Sequence, residues 1–219
     1  MLPATLPIFP LPNVVFFPDV FLPLHIFEPR YRDMTRAALD SDRLIGMVLL
    51  RPDASHARGP IDALDFELAE LDVPRIYPIG CAGVISHVEE VEDGRYNIIL
   101  RGLQKFRVTD EDEDPKRRYR VATVEPIADQ PFDPEALRGE RARLEALLVN
   151  SGTENFSFRL PPSMPDVEFV HALAQYFGFE SIERQALLEL PNAVARCRAI
   201  IELIEMQLLM GAQNWNNAN

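Results

Sequence analysis

The chain has 219 residues, of which 47% are hydrophobic and 26% are charged, and its formal net charge at pH 7 is −12. This length is enough for one large domain or two domains of roughly 100 residues each, and the negative charge disfavours nucleic acid and anionic membranes as partners. The two cysteines, Cys81 and Cys197, form no paired motif, which argues against a disulfide scaffold and for a reducing compartment.

The first predicted strand is "VFLPLHIF", residues 20–27, in which aliphatic side chains alternate with other types. This alternation is typical of a strand with one buried face. Pro23 has no N–H to donate to a neighbouring strand, so we expect an edge strand. The continuous apolar run "LIGMVLL", residues 44–50, predicts a strand that is buried on both faces.

Between these strands, residues 23–39 ("PLHIFEPRYRDMTRAAL") bring together histidine, glutamate, arginine, tyrosine and aspartate, the residue types of many active sites. We interpret this segment as a strand that runs into a helix. Pro29 suits the first helical position, and Tyr31, Met34 and Ala38 are spaced as a buried stripe. No nucleophile or metal partner accompanies the histidine, so the segment is predicted to be architectural.

Further strands follow the helix. Asp93 and Gly94 separate two alternating runs within residues 84–102, which is a strong hairpin signal. "KFRVTD" (residues 105–110) and "YRVATVEP" (residues 119–126) are predicted as two more strands, joined by the charged stretch "EDEDPKRR". Several short strands with one helix among them predict a small closed or half-closed barrel.

After Pro126 the pattern becomes helical. The four predicted helices cover residues 134–150, 166–177, 181–190 and 193–210. Asn192 is positioned to cap the last helix, on which four residues share one face and are predicted to be buried: Cys197, Ile201, Ile204 and Leu208. Four helices with short links predict a bundle. We therefore expect two domains, a β-barrel domain over residues 1–125 and a helical bundle domain over residues 126–219.

Several stretches of the chain resemble the Lon protease substrate-binding (N-terminal) domain family. The similar segments are residues 6–34 ("LPIFPLPNVVFFPDVFLPLHIFEPRYRDM"), 76–108 ("IYPIGCAGVISHVEEVEDGRYNIILRGLQKFRV"), 119–127 and, more weakly, 183–204. The resemblance implies an α+β fold in which an N-terminal PUA-like β pseudo-barrel with one helix precedes a C-terminal four-helix bundle. In full-length Lon enzymes this domain precedes an ATPase and a Ser/Lys peptidase, so we expect a stand-alone version of the substrate-binding part.

The sequence offers no motif for catalysis. No glycine is followed by lysine, so the P-loop of an ATPase is absent from this sequence, and no G-x-S-x-G elbow occurs. Cys81 lies between small residues and reads as a packed thiol. Glu168 and His171 form one E-x-x-H pair, whereas a di-iron bundle needs two. We therefore predict no catalytic residue, no metal and no cofactor.

The leading hypothesis, implied by the resemblance, is a non-catalytic module that binds unfolded or exposed hydrophobic polypeptide segments for ATP-dependent proteolysis, with a protease or chaperone as a candidate partner and a homodimer as a candidate assembly. Proline-flanked segments carry five candidate peptide-binding residues, which we expect along a groove between barrel and bundle: Phe16, Phe17, Phe21, Phe156 and Phe158. The alternative for each phenylalanine is that it packs between the two parts and never reaches solvent.

Two other classes of function remain open. An RNA-binding PUA-like protein would use the basic segment "KRRYR" (residues 116–120) with Arg101, Lys105 and Arg107, although the acidic run at residues 110–114 opposes it. A docking or regulatory scaffold would use the leucines and methionines of "IIELIEMQLLMGAQNW" in the last helix.

The expected location is the cytoplasm. The first residues lack a basic region and a cleavage site, and no apolar run approaches the roughly 20 residues of a membrane span.

Overall fold

A computed structural model describes residues 2–52, 75–112, 114, 116–150, 161 and 163–217. Its elements in chain order are β1 (Thr5–Leu11), β2 (Phe21–Ile26), α1 (Pro29–Leu39), β3 (Leu44–Leu49), β4 (Ile79–Glu90), β5 (Tyr96–Asp112), β6 (Arg120–Ile127), α2 (Pro134–Asn150), α3 (Asp166–Tyr176), α4 (Ser181–Glu189) and α5 (Ala193–Asn217). The predicted α+β class is confirmed. The division into two domains at residues 125 and 126 stays a prediction.

The six strands form one sheet in the order β2-β5-β4-β3-β1-β6, and a further pairing of β5 with β6 closes it into a barrel. Strands β1 and β3 run parallel, whereas the other paired strands are antiparallel. Closure leaves β1, β3, β4 and β6 without a free edge. The barrel predicted from the strand pattern is therefore present.

The prediction of separate strands on either side of Gly102 is wrong, because β5 is a single strand of 17 residues. Its first half pairs with β2, and its second half, from Lys105 onward, pairs with β6. On one side β5 pairs with β4 along most of its length, and this continuous pairing keeps it a single strand. On its other side the partner changes from β2 to β6. The hairpin turn at Asp93 and Gly94 is confirmed, with Gly94 at a φ of +75°.

Strand β2 lies at the edge of the sheet, as Pro23 predicted, and among the described strands it pairs with β5 alone. The Val20 carbonyl accepts a hydrogen bond of 2.8 Å from the Gly102 amide. Val20 thus faces β5. Because the backbone groups of successive residues point to opposite sides of a strand, those of Phe21 and Pro23 point to the free edge. The Tyr176 hydroxyl of α3 donates a hydrogen bond to the Phe21 carbonyl. Since Pro23 also lacks an N–H, this edge is partly blocked for strand addition.

Helix α1 follows β2 and closes one side of the barrel. Its first residue is Pro29, and its buried face contains the predicted residues Tyr31, Met34 and Ala38. The exposed histidine of the preceding strand, His25, lies 2.7 Å from the side-chain oxygen of Asn97. These contacts agree with the architectural interpretation of the segment.

The helical part packs on the long helix α5. The predicted cap of this helix is confirmed, since the Asn192 side chain accepts a hydrogen bond of 3.0 Å from the Ala195 amide. Of the predicted stripe, Cys197, Ile201 and Ile204 are buried. The prediction is wrong for Leu208, which is 37% exposed, because α5 extends beyond the helices that cover its first half. Among the described residues, no helix is both long enough and apolar enough to cross a membrane.

Candidate functional site

The loop between β1 and β2 forms the junction between barrel and bundle. Phe16 and Phe17 are 1% and 0% exposed and belong to the core cluster that also contains residues of α3 and α5. The Phe17 ring centroid lies 6.3 Å from that of His171 in α3. The loop packs closely against β5, since a Cβ on Gly102 of that strand would lie 2.0 Å from the Phe17 carbonyl oxygen. These two phenylalanines join the two parts and do not reach solvent.

Of the five predicted peptide-binding residues the structure describes three, and it does not bring these three together at one surface. Phe16 and Phe17 are buried, whereas Phe21 is 53% exposed on the outer face of β2. Phe156 and Phe158 lie outside the described residues. The burial of Phe16 and Phe17 corresponds to the packing alternative. Phe21 remains available to a ligand, and Phe27 beyond the end of the same strand is 58% exposed.

A buried polar network crosses the junction beside these phenylalanines. Lys105 of β5 is 3% exposed. Its ammonium group lies 2.6 Å from the Asp129 carboxylate and donates to the Leu190 carbonyl at 2.9 Å. Arg196 of α5 is 0% exposed, lies 3.4 Å from the same carboxylate and donates to the Leu187 carbonyl at 2.9 Å. The network thus connects β5, the segment before α2, the end of α4 and α5.

His171 extends this network to the loop before β2. Its Nε2 lies 2.8 Å from a guanidinium nitrogen of Arg196, and its Nδ1 lies 3.6 Å from the Asp19 carboxylate. Because arginine can only donate, Nε2 must be the unprotonated acceptor. Burial lowers the pKa of His171, which keeps the imidazole neutral. A neutral, buried ring hydrogen-bonded to Arg196 through Nε2 fits a structural role in the junction, although Nδ1 makes no hydrogen bond among the described residues.

The other predicted chemical candidates are also structural. Cys81 and Cys197 are both 0% exposed, and burial raises the pKa of each thiol to about 12, so neither forms the reactive thiolate near neutral pH. The E-x-x-H pair of α3 gains no further ligands. In the part of the chain that the structure describes, no group of three or more His, Cys, Asp and Glu residues could hold a metal ion.

Two arginines of the candidate basic patch are paired with neighbouring acids. Arg117 lies 2.7 Å from the Asp112 carboxylate, and Arg120 donates a hydrogen bond of 2.7 Å to Glu111. Lys105, which the patch needs, points into the junction instead. These contacts reduce the uncompensated positive charge that the patch offers to a nucleic acid.

An apolar groove lies between α4 and α5. Its volume is about 420 Å³, and it is lined by Ile182, Glu183, Ala186, Leu187, Leu190, Ala199, Glu202, Leu203 and Met206. Ile182 and Met206 are large apolar side chains that are 47% and 57% exposed. Apolar grooves between helices are common locations of binding sites.

Capping interactions at their N-termini stabilise the two helices that form the groove. Helix α4 begins with a capping box, in which the Glu183 carboxylate accepts a hydrogen bond of 2.8 Å from the Glu180 amide. Three residues separate the end of α4 from the start of α5, and the last of them, Asn192, is the cap of α5. On α5 the apolar stripe continues at helical spacing from Met206 to Met210, which is 61% exposed.

The α5 side of this groove could be recognised from the sequence, whereas the α4 side could not. The leucines and methionines of α5 were proposed as a docking face, and Met206 belongs to that segment. The α4 wall has the pattern Ile182, Ala186, Leu190, spaced four apart along one helix face. That pattern is equally typical of a core helix, so the spacing alone could not identify an open groove.

A family comparison identifies similar sequences. The family model described as the ATP-dependent protease La (LON) substrate-binding domain matches residues 5–206. The chain is 27% identical to Lon protease 2 of Syntrophobacter fumaroxidans over 94% of its own length and 25% of that protein, and 26% identical to Lon protease 2 of Myxococcus xanthus over 93% of its own length and 24% of that protein. The chain thus spans about a quarter of the length of these curated relatives.

Solved structures share the fold. A Lon N-terminal domain protein from Xanthomonas campestris has a TM-score of 0.58 at 23% identity, over 90% of this chain and 97% of that one. The N-terminal domain of the Mycobacterium avium complex Lon protease has a TM-score of 0.65 at 15% identity, over 92% of this chain and 98% of that one. At these identities the likeness concerns the arrangement of strands and helices.

Proposed function

Because this chain belongs to the ATP-dependent protease La (LON) substrate-binding domain family, we propose that it is a non-catalytic module that binds exposed hydrophobic segments of other polypeptides. The observation that carries the proposal is the apolar groove between α4 and α5, where the large apolar side chains of Ile182 and Met206 are 47% and 57% exposed. Burial of apolar side chains in such a groove supplies roughly 25 cal/mol for each Å² removed from water.

The outer face of β2 is a second contact surface in this proposal. Phe21 and Phe27 are exposed there, and exposed aromatic side chains are favoured in interfaces. Because the backbone edge of β2 is partly blocked at Pro23, a segment would contact this face through side chains. Delivery of the bound segments to ATP-dependent proteolysis is part of the proposal and is supported by the relatives' names as Lon proteases.

The alternatives have different signatures. A docking scaffold would bind one folded partner through the same groove, whereas the proposed module binds many unfolded chains. Nucleic acid binding would weaken steeply with salt, and the neutralised arginines at Arg117 and Arg120 do not favour it.

The test is fluorescence anisotropy of a labelled, permanently unfolded polypeptide titrated with this protein. Ala186 is exposed in the groove wall, so Ala186→Trp fills the groove without entering the core. We expect saturable binding to the unchanged protein and at least tenfold weaker binding to Ala186→Trp. The matched control is Ala142→Trp, at an exposed position of α2, which should leave the affinity unchanged. No binding at tens of micromolar by the unchanged protein would contradict the proposal.

A further inference from the structure

The charged residues in the lining of the groove are both acidic. Glu183 of α4 and Glu202 of α5 lie among its apolar side chains, and the described lining contains no lysine or arginine. The Glu183 carboxylate is fixed by the Glu180 amide. Within the described residues, Glu202 makes no ion pair within 4 Å. Two carboxylates beside apolar surface create a local negative potential.

The basic residues of the two helices point elsewhere. Arg198 of α5 donates to Glu140 of α2 at 2.6 Å, and Arg196 is buried in the junction. Arg184, the basic residue of α4, donates to the Phe177 carbonyl at 3.2 Å. None of the three forms an ion pair within 4 Å with Glu183 or Glu202, although the charge of Glu183 acts on Arg184.

We propose that the groove selects hydrophobic segments that carry lysine or arginine beside their apolar side chains. This inference rests on the proposed function and names its substrate class. The apolar stripe of α5 from Ala199 to Met210 covers 12 residues, and its ends are about 16 Å apart along the helix. That length accommodates two or three apolar anchors of a bound segment, with cations near Glu183 and Glu202. A net charge of −12 also speeds the approach of cationic segments.

The experiment compares two labelled peptides that have the same apolar residues, one flanked by lysines and one by glutamates, in anisotropy titrations at low salt. The unchanged protein should bind the lysine peptide about tenfold more tightly, as expected for two partly desolvated ion pairs. In the double variant Glu183→Gln, Glu202→Gln the preference should fall to about twofold. Glutamine at position 183 keeps an oxygen for the Glu180 amide, so the capping box is retained.

The matched control is the double variant Glu90→Gln, Glu92→Gln, which changes the net charge equally at the distant β4–β5 turn. It should keep most of the preference. An equal loss of preference in both double variants, or none in the groove variant, would overturn the inference.

The same titrations separate the two proposals. If the unchanged protein binds both peptides equally and Ala186→Trp weakens both, the charge selection is wrong and the proposed function stands. If neither peptide binds, the proposed function itself is contradicted. If Ala186→Trp instead converts a dimer into a monomer and no peptide binds, the occupant of the groove is a second copy of this chain, and both proposals are overturned.

Discussion

Lys105 of β5 and Arg196 of α5 approach the same carboxylate, that of Asp129, from opposite parts of the molecule. The distances are 2.6 Å and 3.4 Å. Both cations also donate to the Leu190 carbonyl, at 2.9 Å and 3.3 Å. Since Lys105 is 3% and Arg196 0% exposed, one carboxylate offsets two buried positive charges at the junction, and the carbonyls of Leu187 and Leu190 accept further hydrogen bonds from them.

Removing that carboxylate should therefore loosen the junction. Asp129→Asn leaves two buried cations without a negative charge, and we expect a loss of about 3 kcal/mol in the free energy of unfolding, measured by urea denaturation. The control is Glu135→Gln, which removes a well-exposed partner of Arg138 and should hardly shift the midpoint. Equal midpoints for the two variants would show that Asp129 is not needed to compensate the pair.

The stability of the protein should depend on pH through His171. Burial lowers the pKa of its folded-state imidazole, whereas the unfolded-state pKa is about 6.5. Below that pH the unfolded chain binds a proton that the folded chain does not. The contribution of His171 to the free energy of unfolding is therefore fully present above pH 6.5 and is lost as the pH falls through the folded-state pKa.

The measurement is urea unfolding at pH 7.5 and 5.5. His171→Gln keeps an acceptor for Arg196 but does not titrate, so the unchanged protein should lose more stability on acidification than this variant. If the charge of Asp19, 3.6 Å away, outweighed burial, the unchanged protein would instead lose less stability than the variant.

Two glycine-to-alanine changes should act in opposite directions. At Gly102 a Cβ would lie 2.0 Å from the Phe17 carbonyl oxygen, and displacing that backbone should cost roughly 2–3 kcal/mol. At Gly139 of α2 no atom lies within 4 Å of a Cβ, so alanine should stabilise the helix by about 0.5–1 kcal/mol. Thermal unfolding of both variants gives the comparison, and a neutral Gly102→Ala would contradict the close contact.

Alanine variants of Phe17 and Phe21 should separate effects on stability from effects on binding. Phe17→Ala removes a fully buried ring and should cost about 3–5 kcal/mol. Phe21→Ala removes an exposed ring and should change stability by less than about 0.5 kcal/mol. Under the proposed function, it should weaken the binding of unfolded polypeptides. A variant Phe21→Ala that retained full affinity would remove the outer face of β2 from the proposed binding surface.

Features with a local physical cause could be predicted from the sequence. The turn at Gly94, the edge position of β2 and the cap at Asn192 each follow from the properties of one residue type, namely a positive φ, a missing N–H and a side-chain acceptor. The buried stripe of α1 follows from spacing alone.

Features that depend on distant partners could not be predicted in this way. Lys105 reads as part of a basic patch, but its partners Asp129 and Leu190 lie on other elements. Leu208 has core spacing, but its exposure depends on where the neighbouring helices end. The groove has the same limitation, because the pattern of α4 does not show whether another element covers it.

The protected edge of β2 has a consequence for self-assembly. A protein that holds hydrophobic chains risks becoming a template on which they stack as extra strands. Here Pro23 has no N–H to donate, and the Phe21 carbonyl already accepts a hydrogen bond from the Tyr176 hydroxyl. Another chain could contact the side chains of β2 but could not form a continuous ladder of backbone hydrogen bonds with it. Such an edge disfavours fibrillar growth, and under the proposed function a bound chain would not be added to the sheet as a further strand.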